Sequence, residues 1–258
     1  MLFNTPPSDD EMRKQLEASH TPDKISSRLR HKAGESYLKD FVYGAVDGAV
    51  TTFAVVSGVE GADLAPRIVI ILGMANLFAD GFSMAVSNYL GAQTEKQLIE
   101  KTRAEEQAHI QLYPEGEKEE IRQIYAEKGF KGENLKRAVE IITSDKKQWA
   151  DTMLKEEYDL PSSHIVAWKA ALATFTAFLL IGFIPVFPFL WNYLSGHQFQ
   201  SPFLWSSVST GIAFFAVGAI KSKFVDKPWY SSGIETLLLG GAAAALAYLI
   251  GDLLEGLA

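Results

Sequence analysis

Three pairs of acidic, imidazole and thioether side chains stand at helical spacing in a charged stretch of the chain. Two pairs are three residues apart and one is four apart, so each pair projects from one face of its own helix. Together these ligand types suit a divalent transition ion such as iron or zinc better than magnesium, which prefers oxygen ligands and retained water. The pairs are Glu106 with His109, Glu117 with Glu120, and Met153 with Glu157.

These residues also have other interpretations. A glutamate-rich helix is usually a solvated face, and a methionine on an amphipathic helix usually packs in a core. A third alternative is enzymatic, because the stretch "EEQAH" contains the Glu-x-x-His pair of di-iron carboxylate bundles. Such a bundle needs a second pair, and the later helices of this stretch contain no histidine, so two copies of the chain would have to share the site.

Two aspartates, Asp47 and Asp80, lie inside otherwise apolar segments. An acidic residue at the centre of a membrane helix costs roughly 2.5–3.5 kcal/mol on insertion scales, so it is retained where it is paired or functional. A buried hydrogen bond between helices is the structural alternative. Asn76, Asp80 and Met84 follow one another at four-residue steps, which places two oxygen-bearing groups and a thioether along one helix face. Such a face is typical of an ion path.

Five apolar segments are long enough to cross a membrane, and the first two contain these aspartates. The 258 residues are 48% hydrophobic, and charge is concentrated in the first forty residues and in residues 95–159. A spanning helix needs about 20 predominantly apolar residues. The sequence therefore predicts an all-α polytopic membrane protein with a polar helical insert between the second and third spans. The predicted spans are residues 41–59, 68–90, 165–193, 203–220 and 233–254, the third with a kink or an end near "FIPVFPFL".

Composition excludes several other classes of protein. The formal net charge is -7 and no basic stripe is present, which argues against a nucleic-acid partner. The chain contains no cysteine, so disulfides, thiolate metal sites and cysteine nucleophiles are excluded.

The distribution of lysine and arginine predicts the orientation in the membrane. Seven of them precede Phe41 and twelve lie in residues 95–160, whereas residues 192–202 and the tail after Lys227 hold none. The positive-inside rule then places the amino terminus and the insert in the cytoplasm. The predicted regions are residues 1–40, a cytoplasmic segment; 41–92, the first two spans; 93–161, a three-helix metal-binding domain whose last helix could be one or two; and 162–258, the last three spans.

Small residues on the first two spans predict that these helices pack closely together. Close packing would let both helices contact one ion. The residues are Gly44, Ala45, Gly48 and Ala49 on the first span and Gly73, Ala75, Ala79 and Gly81 on the second.

Several of these segments, in this order, resemble the vacuolar iron transporter family. They are "DFVYGAVDGAVTTFAVVSGVEGA", "GMANLFADGFSMAVSNYLGAQTEKQ", "YPEGEKEEIRQIYAEKGF", "WADTMLKEEYDL" and "GFIPVFPFL". The resemblance covers nearly all of the chain from Asp40 onward. It implies a homodimer of five-span subunits that exchanges divalent metal for protons, with a cytoplasmic helical domain that gathers the metal. It further implies export of ferrous iron into a vacuole or out of the cell.

The resemblance also assigns residues. The family's pathway aspartate and methionine match Asp47 and Met84. This chain departs from the family pattern at Asn76 and Asn88, where carboxylates are usual, at His109, which replaces a further carboxylate, and at Leu154, which replaces a second methionine. An amide can coordinate an ion but cannot exchange a proton at working pH. The family's metal ligands in the helical domain match Glu106, Glu117, Glu120, Met153 and Glu157.

The resulting expectation is alternating access in a homodimer within a lipid bilayer. The insert captures a cytoplasmic ion and passes it to Asp47 and Met84, with Asn76, Asp80 and Asn88 along the route, and Asp47 takes up a proton on release. Iron, zinc, manganese or cobalt would be the substrate, and no prosthetic group is expected. The short chain has no organelle-targeting features, which favours a prokaryotic plasma membrane over a vacuole membrane. A membrane-tethered di-iron ferroxidase and a metal sensor or scaffold without transport are the alternatives.

Overall fold

Helices form every regular element in the part of the chain that the structure describes. These residues are 9–30, 37–160, 166–196, 200–225 and 227–257 of a computed structural model. No strand occurs within these ranges, so the all-α prediction is confirmed. The chain divides into two compact units, residues 1–36 and residues 37–258. The first unit contains two short polar helices, α1 (Asp9–Ser19) and α2 (Pro22–Arg30).

Two long helices open the second unit. Helix α3 spans Leu38–Gly61, and α4 spans Pro66–Leu112. The 47 residues of α4 correspond to about 70 Å of helix, more than twice the roughly 30 Å hydrocarbon core of a bilayer. Only the first half of α4 is apolar, and its polar second half corresponds to the first helix of the predicted insert. The prediction that one helix continues from the second apolar segment up to Pro114 is confirmed.

Three further helices complete the insert: α5 (Pro114–Glu127), α6 (Gly132–Thr143) and α7 (Lys146–Glu156). With the end of α4 they make four helical segments, so the predicted count of three is one too few. The division comes at Asp145, whose carboxylate accepts hydrogen bonds from the backbone amides of Lys147 (2.8 Å) and Gln148 (3.3 Å) and so caps α7. The insert has a small core of its own, formed by Ile110, Ile121, Ile142, Trp149, Ala150 and Met153.

The remaining helices are apolar. They are α8 (Ala167–Gly182), α9 (Phe187–Leu194), α10 (Pro202–Lys221) and α11 (Trp229–Leu254). Helices α8 and α9 are bent by 55° at the predicted proline-containing kink. Within the described ranges, α3, α4, α10 and α11 are long and apolar enough to cross a membrane, and the bent α8–α9 pair makes a fifth crossing if it counts as one span.

Two small residues of α3, Gly44 and Gly48, pack against the backbone of α8. A Cβ atom on Gly44 would lie 2.3 Å from the carbonyl oxygen of Thr174, and one on Gly48 would lie 2.6 Å from that of Phe178. On α4, Gly73 and Gly81 also face the α8–α9 pair, while Ala75 and Ala79 are exposed. The first two predicted spans, α3 and α4, do contact each other, but the close backbone approach predicted at their glycines is made with another helix. Backbone approach at glycine is used, but it joins α3 to α8.

Candidate metal site and membrane group

Three predicted ligands come together where α4 meets α5. Glu106 and His109 lie one turn apart near the end of α4, and Glu117 lies in the first turn of α5. The Nδ1 atom of His109 is 3.6 Å from Oε1 of Glu106 and 3.6 Å from Oε1 of Glu117. One ligand atom from each residue lies within 4.8 Å of the other two, and this is the one such group among the described residues. These three residues are called the insert site below.

A tight turn creates this convergence. Helix α4 ends as the backbone amide of Tyr113 donates to the carbonyl of His109, and Pro114 starts α5 with a φ angle already suited to a helix. The amide of Gly116 then donates to the carbonyl of Tyr113. A Cβ on Gly116 would lie 2.4 Å from the Tyr113 ring, so glycine lets the ring cover the turn. The reversal brings Glu117 opposite Glu106.

The two carboxylates of the insert site are buried and incompletely paired. Glu106 is 1% exposed and Glu117 is 6% exposed, and Oε2 of each lacks a hydrogen-bond partner. Burial, together with the charges of Glu106 and Glu120, raises the pKa of Glu117 to about 7, although His109 acts in the opposite direction. Two facing buried carboxylates repel each other, and a bound cation would relieve both the repulsion and the lost hydration. The geometry is suited to holding a divalent ion.

The other predicted ligands of the insert lie at the rim of this site or in the apolar core of the insert. Glu120 and Glu157 are exposed at its rim, and burial together with the charges of Glu106 and Glu120 raises the pKa of Glu157. Met153 is fully buried in the apolar core of the insert, the position that the core interpretation predicts. Sequence reasoning missed Tyr158, whose hydroxyl donates to Oε1 of Glu106 at 3.0 Å. The sequence signal for Tyr158 is its position directly after the predicted ligand Glu157.

The residues predicted to form the ion path are called the membrane group: Asp47, Asn76, Asp80, Met84 and Asn88. Asp47 and Met84 are half-buried, whereas Asp80 is exposed on the surface of α4. Asp47 and Asp80 lie close enough to interact electrostatically. Within one chain, the structure therefore brings the two aspartates near each other but leaves one of them uncovered.

The two asparagines of the membrane group bond to neighbouring helices. The Asn76 amide donates to the hydroxyls of Thr51 (3.3 Å) and Thr52 (3.4 Å) on α3. The Asn88 amide donates to Oδ1 of Asp40 (2.9 Å) and to the hydroxyl of Thr174 (2.7 Å). Asn88 thus joins α4 to both α3 and α8. The side-chain carbonyl oxygen is the ligand atom that each amide still offers.

These features define a helical membrane protein with an acidic, histidine-containing metal-type site on the extension of one membrane helix. Residues 38–252 match the model of the VIT family, and the chain belongs to that family. The resemblance inferred from the sequence motifs is confirmed.

Curated relatives are similar along most of their length. A vacuolar iron transporter of Plasmodium berghei is 33% identical over 231 residues, which cover 87% of this chain and 85% of that protein. One of Toxoplasma gondii is 34% identical over 229 residues, covering 85% of this chain and 74% of the relative. Vacuolar iron transporter 1 of Arabidopsis thaliana is 28% identical over 227 residues, covering 88% and 89%.

Proposed function

We propose that this protein transports ferrous iron, or a similar divalent transition metal, out of the cytoplasm in exchange for protons. The observation that carries the proposal is the pair of buried, unpartnered carboxylate oxygens on Glu106 and Glu117 beside His109. Family membership and relatives named vacuolar iron transporters support iron as the substrate. Zinc, manganese and cobalt suit the same carboxylate and imidazole ligands.

The proposed topology has five spans, with the bent α8–α9 pair as the third. The amino-terminal segment and the insert face the cytoplasm, supported by the concentration of lysine and arginine there. The host membrane stays a prediction. A prokaryotic plasma membrane is the location expected from the sequence analysis, whereas the names of the relatives favour a vacuole membrane. Cell fractionation with a tagged chain distinguishes these two locations.

The proposed assembly is a homodimer in which a second copy covers the membrane group. Asp80 is exposed on a membrane helix, where contact with hydrocarbon costs roughly 2.5–3.5 kcal/mol. A second copy packed against this face of α3 and α4 would remove Asp80 from lipid and enclose a path beside Asp47. Cross-linking of a cysteine introduced at Ala79, which is exposed beside Asp80, tests the contact. Failure to cross-link in the membrane would contradict it.

Within this path, Asp47 is the proposed residue on which metal and proton alternate. Met84 contributes a thioether beside it, and Asn76 and Asn88 contribute neutral oxygens. Because amides do not exchange protons, proton coupling rests on the carboxylates. Glu106, His109 and Glu117 hold the ion before it enters the path, with Glu120 and Glu157 at the rim.

Sealed vesicles with an internal pH dye test the exchange. Purified protein should move ferrous iron and change the internal pH together. Asp47→Asn removes the ionisable group with little change in volume and should abolish both signals. Asp63→Asn is the matched control, since Asp63 is exposed at the far end of α3. Metal flux and pH change that persist in Asp47→Asn would contradict the role of Asp47.

The enzymatic alternative is tested separately. A di-iron ferroxidase consumes oxygen when ferrous iron is added, whereas a transporter without redox chemistry consumes none. The alternative requires a second Glu-x-x-His pair from another copy of the chain. Oxygen consumption that disappears in His109→Ala would favour the ferroxidase, and iron binding without flux would favour a sensor.

A further inference from the structure

The Tyr158 side chain contacts the insert site directly, although neither its spacing nor its residue type marks it as a metal ligand. Its hydroxyl donates a hydrogen bond to Oε1 of Glu106 at 3.0 Å. The same oxygen lies 3.6 Å from Nδ1 of His109. A carboxylate oxygen has two lone pairs. One lone pair of Oε1 therefore holds Tyr158, and the other, together with the unpartnered Oε2, is left for an ion.

The backbone around Tyr158 is held by a closed turn. The amide of Glu157 donates to the carbonyl of Met153, and the amide of Leu160 donates to that of Leu154, both at 2.9 Å. Asp159 between them has a φ of 52°, in the left-handed region where a chain can reverse sharply. The turn fixes the start of the Tyr158 side chain, so the hydroxyl meets Glu106 from a defined direction.

A second contact secures the same end of α7. The Glu156 carboxylate pairs with the Lys128 ammonium group, which joins α7 to the end of α5. The two carboxylates of the insert site come from α4 and α5, and Tyr158 lies two residues beyond the end of α7. A donor from a third part of the insert can therefore hold one carboxylate while the other adjusts to the ion.

The hydrogen bond from Tyr158 is of the kind that supports a metal ligand. The hydroxyl is the donor and the Glu106 carboxylate is the acceptor. Donors of this kind orient ligating carboxylates, and their loss typically weakens metal binding 10- to 100-fold.

We propose that Tyr158 is a positioning residue of the insert site, whose hydroxyl fixes the Glu106 carboxylate in the orientation that meets the ion beside His109. This inference rests on the proposed function, because it requires the site to bind a divalent metal. Tyr158 itself does not ligate the ion.

Calorimetric titration of the full-length protein with ferrous iron, without oxygen, tests the inference. Tyr158→Phe keeps the ring and removes the hydroxyl, and it should bind iron about tenfold more weakly. The unfolding temperature of the ion-free protein should stay unchanged. Tyr125→Phe is the matched control, since that ring packs against Phe130 within the insert, and it should bind iron as the unaltered chain does.

Combining Tyr158→Phe with a substitution of Glu106 shows whether Tyr158 acts through that carboxylate. In Glu106→Ala, which removes both the ligand and the acceptor of the Tyr158 hydroxyl, adding Tyr158→Phe should change the affinity no further. A full tenfold loss in that background would overturn the inference, as would equal affinities of Tyr158→Phe and the unaltered chain. If Glu106→Ala and the unaltered chain bind iron equally, the insert site itself fails, and the inference fails with it.

Discussion

The insert site and the membrane group use similar residue types but differ in completeness. Glu106, His109 and Glu117 converge within one chain, with buried oxygens that lack partners. In the membrane group, Asp80 is exposed, and the two asparagines already donate to other helices. A capture site needs a preformed cluster, whereas a path must release its ion. Under the proposed function, one chain would bind an ion in the insert, and a second copy would be needed to enclose the route.

The largest expected effect is a loss of iron binding when only the insert site is altered. Glu106→Gln combined with Glu117→Gln removes both buried charges and should weaken iron binding about 100-fold or more, since losing ligands costs at least as much as losing their supports. Transport should slow without disappearing, because Asp47 and Met84 are untouched. Calorimetry and vesicle flux measure the two effects.

The control for that double variant is Glu115→Gln combined with Glu119→Gln. These glutamates lie on α5, as Glu117 does, but are exposed. Their removal should leave the affinity within about twofold, because solvent screens exposed charges. An equal loss of affinity in both double variants would show that general negative charge, and not the insert site, attracts the ion.

The second effect is the pH dependence of stability without metal. Burial raises the pKa of Glu117 from 4.5 to about 7, so between these values the folded state binds the proton more tightly than the unfolded state does. Stability should therefore fall as pH rises from about 4.5 to 7, by up to about 3 kcal/mol, and change no further above that range. Glu157, whose pKa is also raised, adds in the same direction.

Thermal unfolding across this pH range measures that slope. Glu117→Gln should flatten it, and added ferrous iron should restore stability at pH 7.5 in the unaltered chain only. A slope that survives Glu117→Gln would mean that other groups cause it.

The third effect is a loss of stability when the packing between α3 and α8 is disturbed. Gly44→Ala places a Cβ against the backbone of Thr174 and should destabilise the protein by about 2 kcal/mol, because neither helix backbone can yield locally. Gly91→Ala is the control, since no atom lies within 4 Å of its Cβ position. Unfolding temperatures in detergent should fall for the first variant and stay equal or rise slightly for the second.

The smallest effect concerns the link between α4 and its neighbours. Asn88→Leu removes the hydrogen bonds to Asp40 and Thr174 and should cost about 1 kcal/mol. Iron affinity of the insert should not change, because Asn88 is not among its residues. A change in insert affinity would show that the two regions are coupled through α4.

Much of the fold could be predicted from the sequence. The first predicted span, residues 41–59, lies within α3 (Leu38–Gly61), and Pro114 marks the end of α4 as expected. The prolines between α8 and α9 also predict the kink that the structure has there. The sequence analysis leaves the last insert helix as one or two, although "TSD" before Lys146 is a typical helix-capping signal.

The candidate site was only partly predictable. The pairing of Glu106 with His109 follows from helical spacing, but the approach of Glu117 depends on the turn at Tyr113 and Gly116. Tyr158 reaches Glu106 from a residue 52 positions away, and Asn88 reaches Thr174 across 86 positions. No local pattern encodes such distances.

There is a physical reason why the sequence predicts the helices but not the contacts between them. A helix in a bilayer satisfies its backbone hydrogen bonds within its own segment, so local composition is enough to place the spans and the charged insert. Which side chains meet depends on how separate helices pack, and packing is decided by shape over the whole assembly. Only the tertiary structure could therefore show that Gly44 faces α8, that Met153 belongs to a core, and that two buried glutamates each have one oxygen without a hydrogen-bond partner.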